Sequence, residues 1–181
     1  GSRGLGEIFA RADLQNGAKV YITSRKAEAC DALAAELSAQ GECISLPADL
    51  SRMEEIERIA AELSAREEKL DVLVNNAGAS WAAPFDDFPE HGWDKVMDVN
   101  VKSVFFLTQK LRPLLAAAAT DDDWSRVINV GSIEGLHVSK LEAPSYSASK
   151  AAVIHLSRVL AAKLAPSRIA VNAIAPGYFI S

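Results

Sequence analysis

Apolar positions along this chain follow two patterns that alternate from one end to the other. Apolar residues three or four positions apart predict amphipathic helices, and short continuous apolar runs predict strands buried on both faces. The predicted helices cover residues 5–12, 30–37, 53–63, 90–119 and 145–163. The predicted strands are Val20 to Ile22, Cys43 to Leu46, Leu70 to Val74, Val127 to Val130 and Ile169 to Ile174. Because strands alternate with helices, the pattern predicts an α/β fold: a doubly wound parallel sheet with helices on both faces.

Local signals mark where several predicted helices begin, end or bend. Asn16-Gly17 is typical of a helix C-terminus, and Ser51 with Glu54 forms a capping box that opens the third helix. Asn100 lies within the long apolar helical tract, where Asn is a poor helix former and a buried amide without a partner is costly. We therefore expect this helix to be irregular near Asn100. An ordinary exposed Asn on a regular helix is the alternative.

Composition limits the class of protein. The chain has 181 residues, 49% hydrophobic and 24% charged, which predicts one domain over residues 1–181. A net charge of −5 with scattered basic residues argues against a nucleic-acid or anionic-membrane surface. Without a leader or an apolar run of about 18 residues, we expect neither export nor membrane insertion, and a cytoplasmic location. Cys30 and Cys43 are expected to be buried thiols in a reducing compartment. His91, His137 and His155 lack the spacing of metal ligands, so no metal site is predicted.

Candidate chemistry begins with Tyr146 and Lys150, a phenol and an amine four residues apart. On a helix this spacing places both side chains on one face. A phenol keeps its proton until about pH 10, and a fixed ammonium beside it lowers that pKa and allows proton exchange near pH 7. Such a pair also arises on helices by chance, so the interpretation depends on the motifs around it.

Several further motifs accompany the Tyr146–Lys150 pair. They are Gly4-Leu5-Gly6 opening the first helix, Asn75-Asn76-Ala77-Gly78 ending the third strand, Asn100, Ser132 after the fourth strand, and Pro176-Gly177 after the fifth. In order and spacing they resemble the short-chain dehydrogenase/reductase family along essentially the whole chain. The likeness is closest to NADPH-dependent 3-oxoacyl reductases of the rhamnolipid-synthesis type, and Ala48 to Ser51 and Val74 to Trp81 carry it. The resemblance implies a Rossmann-like fold.

The family's phosphate loop is preceded by a strand, which we expect to lie before residue 1, and its substrate pocket is shaped largely after Pro176-Gly177. We therefore interpret the chain as a piece of a longer enzyme, truncated at both ends. On that interpretation the 181 residues alone would be weakly stable and poorly active.

The charge that follows the predicted strand Val20 to Ile22 predicts the cofactor. An NAD enzyme usually places a carboxylate there for the ribose 2′-hydroxyl, but this chain has Thr23-Ser24-Arg25. A guanidinium suits a 2′-phosphate, and Arg3 is a second candidate, so NADPH is favoured. Two ordinary surface arginines are the alternative. The resemblance implies cofactor contacts from Ser2, Arg3, Gly4, Leu5, Gly6, Ser24, Arg25, Asp49, Leu50, Asn76, Ala77, Gly78, Tyr146, Lys150, Pro176, Gly177 and Phe179.

The resemblance also implies a role for each of four catalytic candidates. Ser132 would donate to the substrate carbonyl, Tyr146 would supply the proton, and Lys150 would assist the phenol and order the nicotinamide ribose. Asn100 would bend its helix and hold a water through its backbone carbonyl, completing a proton path. Purely structural alternatives stay open: Ser132 could cap a turn, and Asn75 to Gly78 could form a turn without a binding role. Asp49, expected at the adenine amino group, has the alternative of a helix N-terminal charge.

The predicted function is NADPH-dependent reduction of a ketone to a secondary alcohol, and the resemblance implies a 3-oxoacyl thioester as the candidate substrate. A sugar or steroid alcohol dehydrogenase is one alternative, and a non-catalytic nucleotide-binding or scaffolding protein of this fold is another. Trp81 and His137 are candidate substrate contacts. The resemblance implies a homodimer or homotetramer formed through the long helical tract and the Tyr146 helix, whereas a fully intramolecular core is the alternative.

Overall fold

The computed structural model describes residues 2–138 and 141–177, and the cofactor candidate Phe179 lies outside the described residues. The helices are α1 (Gly4–Gln15), α2 (Ala27–Leu37), α3 (Met53–Arg66), α4 (Glu90–Met97), α5 (Ser103–Ala118) and α6 (Pro144–Leu164). The strands are β1 (Val20–Ile22), β2 (Cys43–Ser45), β3 (Val72–Asn75), β4 (Ser125–Val130) and β5 (Ile169–Ile174). The described residues fall into two compact units, which cover 2–50 and 51–177.

The first unit is a parallel pair of strands with two helices. β1 and β2 pair in parallel, with Val20 opposite Cys43 and Ile22 opposite Ser45. Its core consists of Ala10, Leu14, Ile22, Cys30, Leu33, Ala34, Leu37 and Cys43. Both cysteines are buried free thiols, as the sequence predicted.

The second unit contains a parallel sheet in the order β3-β4-β5. Asn75 lies opposite Asn129 across β3 and β4, and Val130 lies opposite Ile174 across β4 and β5. Helices α3 and α5 pack on each other, and α6 packs on β4 and β5. Its fully buried apolar side chains include Ile56, Val96, Leu115, Val127, Val153 and Ile169.

A buried polar network crosses this second sheet. Asn75 Nδ2 donates to Asn129 Oδ1 at 2.8 Å and to Thr108 Oγ1 of α5 at 3.2 Å. Asn129 Nδ2 in turn donates to Ser157 Oγ of α6 at 2.9 Å. Two strands and two helices are therefore held by satisfied side-chain hydrogen bonds in an otherwise apolar layer.

The sequence predicted a capping box at the start of α3 and an irregular helix near Asn100, and only the second is confirmed. The capping box was wrong: α3 begins at Met53 with Arg52 at its N-cap position, and Arg52 makes no side-chain capping hydrogen bond. Instead Arg52 Nε donates to Glu54 Oε1 at 2.9 Å, so the Glu54 carboxylate is paired with Arg52. The irregularity near Asn100 is confirmed as a π-helical turn, Asp98–Lys102, between α4 and α5. Asn100 is buried there, so the exposed alternative is wrong.

Within residues 2–138 and 141–177, no helix combines the length and apolar character needed to cross a bilayer. The same residues contain no group of three or more His, Cys, Asp or Glu side chains arranged to hold a metal ion.

Candidate active site

Four polar side chains of the second unit lie at or after the carboxyl ends of its strands. Ser132 follows β4, Tyr146 and Lys150 lie on α6, and Asn100 lies in the π turn. The carboxyl edge of a parallel sheet is where open α/β folds bind ligands.

Lys150 is almost fully buried, and its ammonium is held in place. Nζ donates to the carbonyl of Val130, the last residue of β4, at 2.7 Å. The same Nζ lies 5.6 Å from the centroid of the Tyr146 ring, so the two side chains share one face of α6. Burial lowers the pKa of Lys150 from 10.5 to about 8. The side chain is therefore mostly cationic at pH 7 and sensitive to mild alkali.

The lowered pKa of Lys150 predicts how stability depends on pH. Between pH 8 and 10.5 the unfolded chain binds more protons at this residue than the folded chain, so the free energy of unfolding should rise with pH across that window. The gain is at most about 3 kcal/mol. Urea unfolding of the wild type and of Lys150→Met between pH 7.5 and 10.5 measures it.

The Lys150→Met comparison isolates one group. Burial also raises the pKa of Cys43, but this thiol is present in both proteins and cancels in the difference. We expect the wild type to gain stability relative to Lys150→Met as the pH rises. Parallel stability curves would show that Lys150 is not the buried cation described above.

Asn100 acts through its side chain as well as through the bend it sits in. Its Oδ1 accepts from the backbone N–H of Ala79 at 2.7 Å, and its Nδ2 donates to the carbonyl of Ala79 at 2.9 Å. This two-way clamp holds the segment that follows β3. The sequence pointed only to the backbone carbonyl of Asn100, so the clamp was missed, because Ala79 carries no polar side chain to signal it.

Ser149 is a second residue that the sequence interpretation missed. It is fully buried, accepts from Asn100 Nδ2 at 2.8 Å and donates to the backbone carbonyl of Tyr146 at 2.7 Å. Its position next to Lys150 was the only available signal.

Ser132 caps the short 3₁₀ helix Ile133–Gly135, which is the structural alternative given for this residue. Its Oγ accepts from the backbone N–H of Glu134 at 3.2 Å. A hydroxyl that accepts one hydrogen bond keeps its own proton to donate, so the cap orients Ser132 without using up its donor. The following N–H, of Ile133, donates to the carbonyl of Pro176 at 3.0 Å, which ties the candidate Pro176-Gly177 segment to this turn.

Gly135 allows the 3₁₀ helix to lie directly on α6. A Cβ at this position would lie 2.5 Å from the backbone carbon of Lys150 and 2.6 Å from the nitrogen of Ala151. Only a residue without a side chain permits this approach, which brings the Ser132 turn against the Tyr146 helix. The sequence interpretation passed over Gly135, because one loop glycine carries no signal of its contacts.

The turn after β3 approaches both Asn100 and Lys150. A Cβ on Gly78 would lie 3.6 Å from Asn100 Oδ1 and 3.7 Å from Lys150 Nζ, so the Gly78 backbone passes close to both. Asn76 donates from its backbone N–H to the carbonyl of Val74 at 3.1 Å within the same turn. The turn after β3 therefore lies beside both the Asn100 amide and the Lys150 ammonium.

Trp81, a candidate substrate contact, is packed against α4. A Cβ on Gly92 would lie 2.7 Å from the Trp81 ring, and the ring meets His91 edge-on with centroids 4.9 Å apart. Lys95 Nζ lies 5.4 Å from the Trp81 ring centroid. His137, the other candidate, is exposed on the loop after the 3₁₀ helix.

The remaining cofactor candidates lie in the first unit. Gly4 has a φ of 55°, in the left-handed region that favours glycine, and Gly6 is buried on α1. Ser2 Oγ donates to Ser24 Oγ at 2.9 Å, so the segments that carry Arg3 and Arg25 lie side by side. Both arginines are exposed. Two neighbouring segments with solvent-facing guanidinium groups suit a phosphate. The other candidates here, Leu5, Asp49 and Leu50, are half-buried.

The fold and this arrangement define a short-chain dehydrogenase. The short chain dehydrogenase family matches residues 1–181, and the chain belongs to that family. It is 48% identical over its whole length to the rhamnolipids biosynthesis 3-oxoacyl-[acyl-carrier-protein] reductase of Pseudomonas aeruginosa and spans 71% of that protein. The RhlG/NADP active-site complex of Pseudomonas aeruginosa matches 99% of the chain and 70% of its own, with a TM-score of 0.96 and 47% identity. A short-chain dehydrogenase from Sphingobium yanoikuyae in complex with NADPH matches 99% of the chain and 68% of its own, with a TM-score of 0.88 and 26% identity.

These findings confirm the predicted family, the likeness to a rhamnolipid-type 3-oxoacyl reductase and the Rossmann-like parallel α/β class. The predicted enzyme class, a short-chain oxidoreductase, is confirmed with them. The predicted cofactor type is that of the NADP and NADPH complexes among its structural neighbours. The roles of individual site residues stay predictions.

Proposed function

We propose that the full-length protein reduces a ketone to a secondary alcohol with NADPH, and that Tyr146 donates the proton. The observation that carries the proposal is the buried Lys150 ammonium, fixed by Val130 and 5.6 Å from the centroid of the Tyr146 ring. A buried cation beside the ring favours negative charge on the phenol, which is the charge left when Tyr146 gives up its proton. A purely structural helix has no need to hold a charge out of water at this cost.

The donor groups present fit a phosphorylated dinucleotide. Arg3 and Arg25 would hold the 2′-phosphate, and Gly4 and Gly6 would let the backbone of the loop and α1 approach the pyrophosphate. Asp49 and Leu50 would contact the adenine, and Asn76, Ala77 and Gly78 the adenosine ribose. When bound, the nicotinamide supplies the hydride chemistry, and the protein supplies placement and electrostatics.

Each of the four polar residues has a separate task on the substrate side. Reduction of a ketone adds a proton at the oxygen, so that oxygen needs donors. Ser132, with its hydroxyl proton still available, would donate to the carbonyl oxygen, and Tyr146 would transfer its proton there. Lys150 would stabilise the resulting phenolate, and the π turn that contains Asn100 would return a proton through water.

The 3-oxoacyl thioester substrate is proposed from the Pseudomonas aeruginosa relative, which is named for that reaction. A sugar or steroid ketone is the competing substrate. The predicted single domain, the cytoplasmic location and the homodimer or homotetramer through α5 and α6 stay predictions.

Stopped-flow fluorescence and an absorbance assay test the proposal on the full-length protein. We expect NADPH to bind more tightly than NADH, and NADPH to be consumed when an acetoacetyl thioester is added. Binding without turnover of any ketone would favour the nucleotide-binding scaffold. Failure to bind either nucleotide would eliminate the oxidoreductase proposal.

Arg25 provides the test of cofactor choice. Replacing Arg25 by Ala removes an exposed guanidinium proposed to bond the 2′-phosphate, so the Kd for NADPH should rise about tenfold or more while that for NADH stays the same. Arg66→Ala, which removes an exposed arginine paired with Glu62 on α3, is the matched control. Equal effects on both nucleotides would show that Arg25 does not read the 2′-phosphate.

A further inference from the structure

Ser149 occupies a place in the site that the proposed mechanism leaves unused. It directly precedes Lys150 on α6 and is fully buried, with both of its hydrogen-bonding functions engaged. Its oxygen accepts from Asn100 Nδ2 and its hydroxyl donates to the carbonyl of Tyr146. One side chain thus joins the π turn to the helix that carries the phenol.

The Asn100 amide depends on Ser149 for one of its partners. An amide NH₂ has two N–H donors, and here one goes to Ala79 and the other to Ser149. Without the serine oxygen, the Asn100 side chain would have to rotate, bind a water molecule or leave a buried N–H without a partner. Each of these is costly. Because the same amide clamps Ala79 in both directions, a rotation of Asn100 would release the segment after β3.

That segment lies against the Lys150 ammonium. A Cβ on Gly78 would be in ordinary van der Waals contact with Asn100 Oδ1 at 3.6 Å and with Lys150 Nζ at 3.7 Å, so the Gly78 backbone passes beside both. A looser turn would admit water to the ammonium and relieve the burial that sets its titration. The titration of Lys150 should therefore report the state of Ser149, because two hydrogen bonds link Ser149 through Asn100 to Ala79, and the neighbouring Gly78 backbone lies beside Lys150 Nζ.

We propose that Ser149 is a positioning residue: it ties Asn100 to α6 and so keeps the Gly78–Ala79 turn closed over the Lys150 ammonium beside Tyr146. The effect on turnover rests on the proposed reductase function, whereas the effect on Lys150 does not. Ser149 itself touches none of the reacting atoms; it acts through Asn100 and Lys150.

The same helix offers a matched control. Ser157, eight residues further along α6, is buried, accepts from Asn129 Nδ2 at 2.9 Å and donates to the carbonyl of Val153 at 2.8 Å. It makes the same two hydrogen bonds as Ser149, to a buried Asn amide and to a helix carbonyl, but Asn129 belongs to the sheet network. Ser157→Ala therefore measures the cost of losing such a serine on this helix without touching the Asn100 clamp.

Other charged groups near α6 are the same in both variants. The elements packed against α6 carry Glu134 on the 3₁₀ helix, Asp98 and Lys102 on the π turn, Arg126 on β4, and Glu90, His91, Asp94 and Lys95 on α4. Asp98 and Lys102 pair with each other at 3.2 Å. A difference between Ser149→Ala and Ser157→Ala thus reports the Asn100 clamp and not the surrounding charge.

The experiment compares the full-length wild type, Ser149→Ala, Ser157→Ala and Ser149→Cys. One readout is kcat and KM for an acetoacetyl thioester with NADPH from pH 6 to 10. The second is the titration of Lys150, followed by NMR of its side-chain carbons and assigned with Lys150→Met, which needs no turnover. We expect Ser149→Ala to lose roughly tenfold or more in kcat with KM nearly unchanged, the size of effect of one misplaced donor.

Under the proposal, the alkaline limb of the activity profile and the Lys150 titration both move upward in Ser149→Ala, toward the ordinary lysine pKa. Ser157→Ala keeps the wild-type kcat and titration, and Ser149→Cys, with a weaker donor of similar size, is intermediate. The same kcat and Lys150 titration in Ser149→Ala and Ser157→Ala would overturn the proposal. Should Ser149→Ala fail to fold, a wild-type Lys150 titration in Ser149→Cys would overturn it, and an upward shift would support it. A wild type that turns over no ketone would refute the proposed function and leave the titration to decide the role of Ser149.

Discussion

Replacing Tyr146 by Phe is expected to lower kcat by about 10²- to 10⁴-fold, the range that general acid–base groups contribute. The change removes one oxygen and keeps the half-buried ring under the Lys150 ammonium, which lies 5.6 Å from the ring centroid. The helix, the Val130 contact of Lys150 and the Asn100 clamp do not involve that oxygen, so NADPH affinity should change little. Steady-state kinetics and NADPH fluorescence titration measure the two quantities.

Tyr21 supplies the control for this variant. Its ring lies 5.7 Å from the Nζ of Lys19, nearly the same separation as in the Tyr146 pair, but it lies on β1 in the first unit. Tyr21→Phe should therefore keep the wild-type kcat. If Tyr146→Phe kept most of its activity while binding NADPH, the proton would have to come from another group and the proposed mechanism would be wrong.

Replacing Gly135 by Ala is expected to disrupt both stability and turnover. The new Cβ would meet backbone atoms of Lys150 and Ala151 at 2.5 and 2.6 Å, and backbone inside a helix cannot move aside as a flexible side chain can. Overpacking of this kind costs up to about 3 kcal/mol, or about 6–12 °C in Tm for a protein of this size. If the 3₁₀ helix shifts away to relieve the contact, it carries Ser132 away from Tyr146, so kcat should fall as well.

The variant Gly17→Ala is the control that separates the effect of a steric collision, expected at Gly135, from the effect of backbone strain alone. Gly17 has a φ of 83°, but a Cβ there meets no atom within 4 Å. Its replacement should cost only about 1 kcal/mol of strain and leave kcat at the wild-type value. Calorimetry and kinetics on the two variants make the comparison. An equal Tm loss with unchanged kcat in both would show that the Gly135 contact does not position Ser132.

Features that depend on the spacing of apolar and polar residues along a short stretch of chain could be predicted from the sequence. All five strands are present, and β5 has the predicted limits, because a short apolar run between polar turns leaves few alternatives. The Tyr146–Lys150 face follows from helix geometry alone. The bend at Asn100 follows from the conflict between a polar amide and an apolar helix. Each of these inferences needs only residues within about two helical turns.

Features that depend on contacts between distant segments could not be predicted. The Asn100–Ser149 hydrogen bond joins residues 49 positions apart, and the Gly135 contact depends on how a 3₁₀ helix meets α6. The capping box failed for a different reason: Arg52, and not Ser51, takes the N-cap position, so the predicted start of α3 is one residue too early.

The π turn makes the length of its segment as important as its composition. A π turn contains one residue more than the α-helix that would join the same ends, and each residue of an α-helix rotates the chain by about 100°. Deleting a single residue between Asp98 and Lys102 would let a regular α-helix join α4 and α5 in their present orientation, but the residues that remain in the turn would point in new directions. Val104, Leu107, Leu111 and Leu115 now point into the core together. Were these four to keep that orientation, the rest of the segment would turn Asn100 away from Ala79. Natural variants of this enzyme should therefore tolerate substitutions at the other positions of the turn far better than insertions or deletions.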